Sequence, residues 1–67
     1  MELYLKTNSK YFLTLVDVLG INGIDYSWFN DKDIQLVCVE GPEIKKVEAI
    51  DDLINPLITN KFYEVRA

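Results

Sequence analysis

Two spacings of hydrophobic residues alternate along this chain of 67 residues, and they limit the elements it can form. Residues within Glu2–Lys6 alternate between apolar and polar, which is typical of a half-buried strand. From Lys10 the apolar side chains recur every three or four positions, as on one face of a helix of about three turns. Strand-like spacing returns in Ile24–Phe29 and then in Asp33–Glu40, a nearly continuous apolar run that predicts a central strand.

A second helical segment follows this run and completes the pattern. Gly41-Pro42 opens it, because proline is well suited to the first turn of a helix. Pro56 cannot lie unperturbed inside a helix, so the helix is predicted to kink or end near Asn55. The chain closes with a further alternating stretch, Phe62–Ala67.

Charges within the second helical segment run against the helix dipole. Lys45 and Lys46 lie early, whereas Asp51 and Asp52 lie late, and each pair would favour the opposite end. A strand over Ile44–Ile50 would avoid this conflict, but strand spacing would bury a lysine and a glutamate beside the apolar residues. The helix is therefore the prediction.

Polar residues and glycines mark the ends of the other elements. Thr7-Asn8-Ser9 offers three candidate N-caps for the first helix. Gly23 is predicted to end that helix, with Ile24 folding back onto its last turn. Asn30-Asp31-Lys32 is predicted to form the polar turn of a hairpin between the second and third strands.

The predicted order is β-α-β-β-α-β in a single domain, residues 1–67. Right-handed crossovers would then give an α+β fold with a four-stranded antiparallel sheet and both helices on one face. This order resembles the ferredoxin-like superfold. The helix-to-strand junction VLGINGIDYSWF is also similar to that of ACT-type regulatory domains. That resemblance implies an amino acid or related metabolite bound at a dimer interface, near Thr7–Lys10 and Asn22–Ile24.

Composition removes several classes of function. The chain has no histidine and one cysteine, so it lacks the commonest general base and metal ligand, and no metal or cofactor is expected. A net charge of −4 argues against direct binding of nucleic acid, whose phosphates attract basic surfaces. No apolar run approaches the roughly 18 residues that span a bilayer, and the N-terminus does not resemble a signal peptide. We expect a cytoplasmic protein, in the host cytoplasm if it is phage-encoded.

Three groups of reactive residues are candidate sites. Asp31-Lys32-Asp33 lacks the further ligands of a calcium loop, so a solvated turn is expected. Asp51 and Asp52 are adjacent, and neighbouring helix residues diverge by about 100°, so they cannot act as an acid–base pair. Cys38 lies in the apolar run and is predicted to be a buried structural thiol. No catalytic residue and no enzymatic activity are therefore expected.

The strand alternation assigns each side chain to a sheet face. One face should meet the helices, and its predicted members are Leu3, Leu5, Ile24, Tyr26, Trp28, Ile34, Leu36, Cys38, Tyr63 and Val65. The other face should remain open, with Glu2, Tyr4, Lys6, Ser27, Phe29, Gln35, Val37, Val39, Phe62, Glu64 and Arg66. Its apolar members predict an interaction surface: Tyr4, Phe29, Val37, Val39 and Phe62. A one-residue slip would reverse these assignments, and aromatic rings that are merely exposed at strand edges are an alternative.

Three functions remain open on these grounds. The first is a non-enzymatic protein-interaction module, which docks or homodimerises through the open face or a strand edge. Small acidic chains resemble the inhibitors that phages and mobile elements direct at host proteins, including basic nucleic-acid-handling proteins. The carboxylates predicted for that role are Glu40, Glu43, Glu48, Asp51 and Asp52. The second is an ACT-like sensor of a small ligand. The third is a structural subunit of a larger assembly. An RNA-recognition surface is not expected, because Val37 and Val39 are not stacking rings.

Overall fold

Four strands form one antiparallel sheet in the computed structural model, which describes residues 1–65. They are β1 (Glu2–Asn8), β2 (Ser27–Asp31), β3 (Ile34–Glu40) and β4 (Asn60–Glu64). Their order across the sheet is β2-β3-β1-β4, so β3 is a central strand, as its continuous apolar run predicts. This order and the chain's alternation of strands and helices confirm the ferredoxin-like arrangement.

Helices cover one face of this sheet. They are α1 (Phe12–Ile21), α2 (Glu43–Ala49) and α3 (Asp51–Ile54), followed by a 3₁₀ turn over Asn55–Leu57. The core between the two layers is fully apolar at its centre, with Leu3, Leu5, Val37 and Val39 from the sheet and Leu15, Leu19, Ile44, Val47 and Ile54 from the helices. No helix within residues 1–65 is long and apolar enough to cross a membrane.

The end of α1 follows the predicted glycine signal. Gly23 has a φ of 68°, in the left-handed region that glycine adopts without a steric penalty. Its N–H donates to the carbonyl of Gly20 at 3.1 Å, and the N–H of Ile24 donates to the carbonyl of Leu19 at 2.9 Å. This pair of bonds is the Schellman arrangement. It turns the chain so that Ile24 is buried in the core.

The start of α1 differs from the prediction. The helix begins at Phe12, and its N-cap residue Tyr11 makes no side-chain capping bond. Asn8 still contributes, because its side-chain oxygen accepts the N–H groups of Lys10 and Tyr11 at 3.1 and 3.2 Å. The polar residues after β1 therefore form a turn that precedes the helix.

The predicted second helix is divided into two. Ile50 has φ −116° and ψ 29°, which are not helical values, and it separates α2 from α3. The break removes most of the conflict of charges noted above. Lys46 lies in the last turn of α2, whereas Asp51 and Asp52 lie in the first turn of α3. These three charges therefore lie at the ends that the helix dipole favours, whereas Lys45 remains the third residue of α2.

The predicted face assignment of β3 is wrong by one residue. Leu3 pairs with Val39 and Leu5 pairs with Val37, and directly paired residues share a sheet face. Val37 and Val39 are therefore fully buried beneath the helices rather than exposed on the open face. Gln35 is buried on that side as well. The open face instead carries Ile34, Leu36, Cys38 and Glu40.

The faces of the two edge strands agree with the prediction where the structure describes them. Trp28 pairs with Val37 on the helix side, and its ring meets Phe12 edge-on at 5.4 Å. Phe29 lies on the open face. Trp28 remains 52% exposed because β2 is an edge strand. Tyr26, which the sequence placed in the core, precedes β2 and is exposed.

The last strand begins earlier than predicted, at Asn60 instead of Phe62. It ends at Glu64, and Val65 follows it as exposed irregular chain; the predicted continuation over Arg66 and Ala67 lies outside the described residues. Within it, Phe62 lies on the open face and Tyr63 on the helix side, as predicted. The prediction for Arg66 concerns a position outside the described residues.

Candidate functional site

An apolar cluster occupies the open face, the side of the sheet on which no helix of residues 1–65 packs. We call it the open-face cluster, and its members are Tyr4, Phe29, Ile34, Leu36 and Phe62. Phe29 and Ile34 are 60% and 46% exposed, whereas the other three are partly buried. The rings of Tyr4 and Phe62, which are directly paired across β1 and β4, stack at 5.2 Å with an interplanar angle of 12°.

All members of the open-face cluster except Tyr4 line a shallow depression of about 310 Å³. The residues that line it come from all four strands: Lys6, Phe29, Asp31, Ile34, Leu36 and Phe62. Sequence reasoning placed Phe29 and Phe62 on this surface but missed Ile34 and Leu36. The surface is thus apolar at its centre, with one basic and one acidic side chain at its margin.

A row of three glutamates crosses the open face at the end of the sheet where β1 begins and β3 ends, away from the depression. Glu2 pairs with Glu40 on one side and with Glu64 on the other. Glu2 is only 5% exposed, and one of its carboxylate oxygens accepts the hydroxyl of Tyr4 at 3.4 Å and the thiol of Cys38 at 3.7 Å. These hydrogen bonds explain how the Glu2 carboxylate can be buried against the open face of the sheet.

Burial controls the ionisation of the two groups next to Glu2. Desolvation raises the pKa of the Cys38 thiol, and the charge of Glu2 adds to that effect. Desolvation likewise raises the pKa of Tyr4, with smaller contributions from Cys38 and Glu2. Cys38 is 4% exposed, as expected of a structural thiol, although it lies on the open side of the sheet.

Glu2, Cys38 and Glu40 are the group whose chemistry most resembles a metal site in the described part of the chain. Their potential ligand atoms lie within 4.8 Å of one another. A thiol must lose its proton to bind a metal, however, and burial beside Glu2 opposes that loss. The arrangement favours a protonated thiol hydrogen-bonded to a carboxylate.

A second depression, of about 290 Å³, opens beyond the glutamate row, between the start of α2 and the chain that leads into β2. We call it the acidic cleft, and it is lined by Asp25, Tyr26, Ser27, Cys38, Glu40 and Glu43. Glu43 is held in place, because it accepts the N–H of Asp25 and forms an ion pair with Lys46, each at 3.1 Å. The bond from Lys46 is the main reason that the pKa of Glu43 lies below its ordinary value.

The five carboxylates predicted to contact a partner do not converge. Glu40 and Glu43 share the acidic cleft. Glu48 and Asp51 belong to the helix layer and are engaged by β4: Glu48 accepts the hydroxyl of Tyr63 at 2.8 Å, and Asp51 accepts Lys61 at 2.9 Å. Asp52 is exposed on α3. Only the first two therefore lie beside the open face.

The loop predicted to hold a small ligand is occupied by internal contacts. The hydroxyl of Thr7 donates to the carbonyl of Leu57 at 2.6 Å, and Asn8 caps the following turn. Neither depression described above is lined by Thr7–Lys10 or Asn22–Ile24. Binding of a small ligand there stays a prediction from resemblance.

Comparison of this chain with protein-family models, curated proteins and solved structures gives no match. Fold and site define a ferredoxin-like α+β chain with an apolar sheet face on which no helix of residues 1–65 packs.

Proposed function

We propose that this chain is a non-enzymatic interaction module that binds another protein through the open face of its sheet. The observation that carries the proposal is the exposure of Phe29 and Ile34 around an apolar depression. Large exposed side chains grouped on one surface mark sites that another molecule covers, because their contact with water is unfavourable. A preformed antiparallel sheet face can accept a segment of a partner with little movement of its backbone.

The charge around the open-face cluster favours a basic partner. Glu40 and Glu64 are the exposed members of the glutamate row at one end, whereas Lys6 and Asp31 at the margin of the depression offset each other in charge. The whole chain carries a net charge of −4. Such a surface attracts a partner whose apolar contact residues are bordered by lysine or arginine. Inhibition of a basic, nucleic-acid-handling host protein by a phage or mobile-element product would use this combination.

A second copy of the chain is the less favourable occupant. When two copies meet through their open faces, their glutamate rows bring like charges together unless the rows are offset. Each copy also has a net charge of −4, so the copies repel each other. Homodimerisation therefore enters the proposal as a competing outcome of the test.

The test is affinity capture from native lysate with three forms of the protein: wild type, Phe29→Ser with Ile34→Thr, and Leu13→Ser with Ile21→Ser. The second form removes exposed apolar side chains from the open face, and the third removes even more exposed ones from α1. We expect one basic protein to be recovered by the wild type and by the α1 variant, and to be lost with the open-face variant.

Recovery of the same protein by the open-face variant would contradict the proposal. Sedimentation of the purified wild type at increasing concentration separates the other occupant. A dimer abolished by Phe29→Ser with Ile34→Thr would assign the open face to self-association instead of to a basic partner.

A further inference from the structure

The open-face depression and the acidic cleft are arranged along the same strand. Ile34 and Leu36 of β3 line the depression, and Cys38 and Glu40 of β3 line the cleft. Alternate residues of a strand project from the same face, so these four side chains form one row. The two depressions are thus offset by four residues, which corresponds to about 13 Å at a rise of about 3.3 Å per residue.

The acidic cleft has the chemistry that a basic side chain requires. Among residues 1–65, the side chains of Asp25 and Glu40 are exposed and form no hydrogen bond or ion pair. Tyr26 adds an exposed ring beside them. A guanidinium group can stack on an aromatic ring while it donates to carboxylates, and an ammonium group can make the same contacts less selectively. The depression next to the cleft offers apolar walls without a comparable group of carboxylates.

We infer that the partner segment bound by the open face is read at two points: an apolar side chain enters the open-face depression, and an arginine or lysine about 13 Å away enters the acidic cleft. In an extended segment this distance separates residues four positions apart. The inference rests on the proposed function, since it specifies the partner of the same surface. The basic residue is inferred from the carboxylates of the acidic cleft. The spacing of four positions is inferred from the row of β3 side chains that lines both depressions.

The experiment selects binders for the wild-type chain from a displayed library of short, linear, random peptides. We expect the selected sequences to be enriched in an arginine or lysine four positions from an aromatic or large aliphatic residue. A synthetic peptide of the enriched sequence should bind about tenfold more weakly to Asp25→Asn with Glu40→Gln, since two charge contacts are lost. The affinity for this double variant should also depend less on salt.

A matched control removes two other exposed carboxylates, by Asp17→Asn with Asp52→Asn, and should leave the affinity unchanged. Peptides whose binding depends on Phe29 but not on Asp25 and Glu40 would overturn the two-point inference and leave the proposed open face standing. Peptides whose binding depends neither on Phe29 nor on Asp25 and Glu40 would contradict both the two-point inference and the proposed function. A selection without any enriched sequence would overturn the inference, because a linear segment then does not satisfy both depressions.

Discussion

Thr7 shows how one polar side chain can hold the two layers of this protein together. It is 2% exposed, on the helix side of β1, where most neighbours are apolar. Its hydroxyl donates to the carbonyl of Leu57, at the end of the 3₁₀ turn, across 50 positions of sequence. The bond is partly buried, and a carbonyl left there without a donor is costly, so this bond fixes where the turn meets the sheet.

Replacing Thr7 by valine tests this contact with little change of volume. We expect Thr7→Val to lower the free energy of unfolding by about 1–3 kcal/mol, because the Leu57 carbonyl loses its hydroxyl donor. Thr59→Val is the matched control. The Thr59 hydroxyl donates to the carbonyl of Lys6, but it is exposed, and that carbonyl keeps the Thr59 N–H at 2.7 Å. The control should change stability by less than about 0.5 kcal/mol in urea denaturation.

Gly20 and Gly23 play different parts at the end of α1, although both stand close to its last turn. Gly20 is helical and exposed, and a Cβ atom there would meet nothing within 4 Å. Gly23 has the positive φ on which the Schellman bonds depend. The helix therefore gains nothing from glycine at the first position and requires it at the second.

Alanine at these two positions should have effects of opposite sign. Gly20→Ala should raise the free energy of unfolding by about 0.5–1 kcal/mol, because it reduces the freedom of the unfolded chain and favours the helix. Gly23→Ala should lower it by about 1–2 kcal/mol, because an L-residue is strained at that φ. Thermal unfolding of the two variants beside wild type measures both. Two changes of the same sign would show that α1 does not end as described.

The hairpin between β2 and β3 shows why the sequence predicts the fold but only part of the site. The strands, helices and their order follow from hydrophobic spacing, which is strong in β1 and α1. The turn was predicted at Asn30-Asp31-Lys32, whereas Asp31 pairs with Ile34 and leaves only Lys32 and Asp33 between the strands. Lys32 takes the positive φ of 53° that this tight turn needs. A lysine in the sequence does not predict a positive φ, so the two-residue turn could not be recognised.

That difference of one residue in the turn reverses every side chain of β3 relative to β2. With the observed register Phe29 pairs with Leu36, so Phe29 and Leu36 share the open face. The composition of β3 could not correct the error, because IQLVCV is apolar on both sides. Its one polar residue, Gln35, points inward, where its side-chain amide donates to Asn30 at 2.9 Å.

Considered as a whole, the protein joins its two layers by apolar packing at the centre and by polar contacts at one edge. β4 pairs only with β1, and its outer side is unpaired by the strands of residues 1–65. Lys61 and Tyr63 of this strand reach Asp51 and Glu48 of the helix layer. These contacts fasten the edge strand to the helices. No helix of residues 1–65 packs on the open face in this way, and this is the reason that we propose it as the surface for a partner.

The ion pair between Asp51 and Lys61 should make stability depend on pH. The bond from Lys61 is the main reason that the pKa of Asp51 lies below its ordinary value. A carboxyl with a lower pKa in the folded state stabilises the fold above its unfolded pKa, about 3.9, and this stabilisation is lost as the pH falls through the folded value. The melting temperature should therefore fall more steeply on acidification in wild type than in Asp51→Asn.

Asp52→Asn is the control for this pH dependence, because Asp52 forms no ion pair within the described part of the chain. It should retain the wild-type slope. An unchanged slope in Asp51→Asn would show that the pair with Lys61 adds nothing to the acid sensitivity of the fold. Part of the slope should persist in every variant, since Lys46 also lowers the pKa of Glu43.

The position of the only thiol has a consequence for how the protein meets oxidants and alkylating reagents. Cys38 belongs to a central strand, beneath the hydroxyl of Tyr4 and the carboxylate of Glu2, and only 4% of it is accessible. A reagent can therefore attack the sulfur only in the brief intervals when those neighbours separate. The rate at which Cys38 is modified therefore reports how often the sheet opens locally. An occupant on the open face would lower that rate.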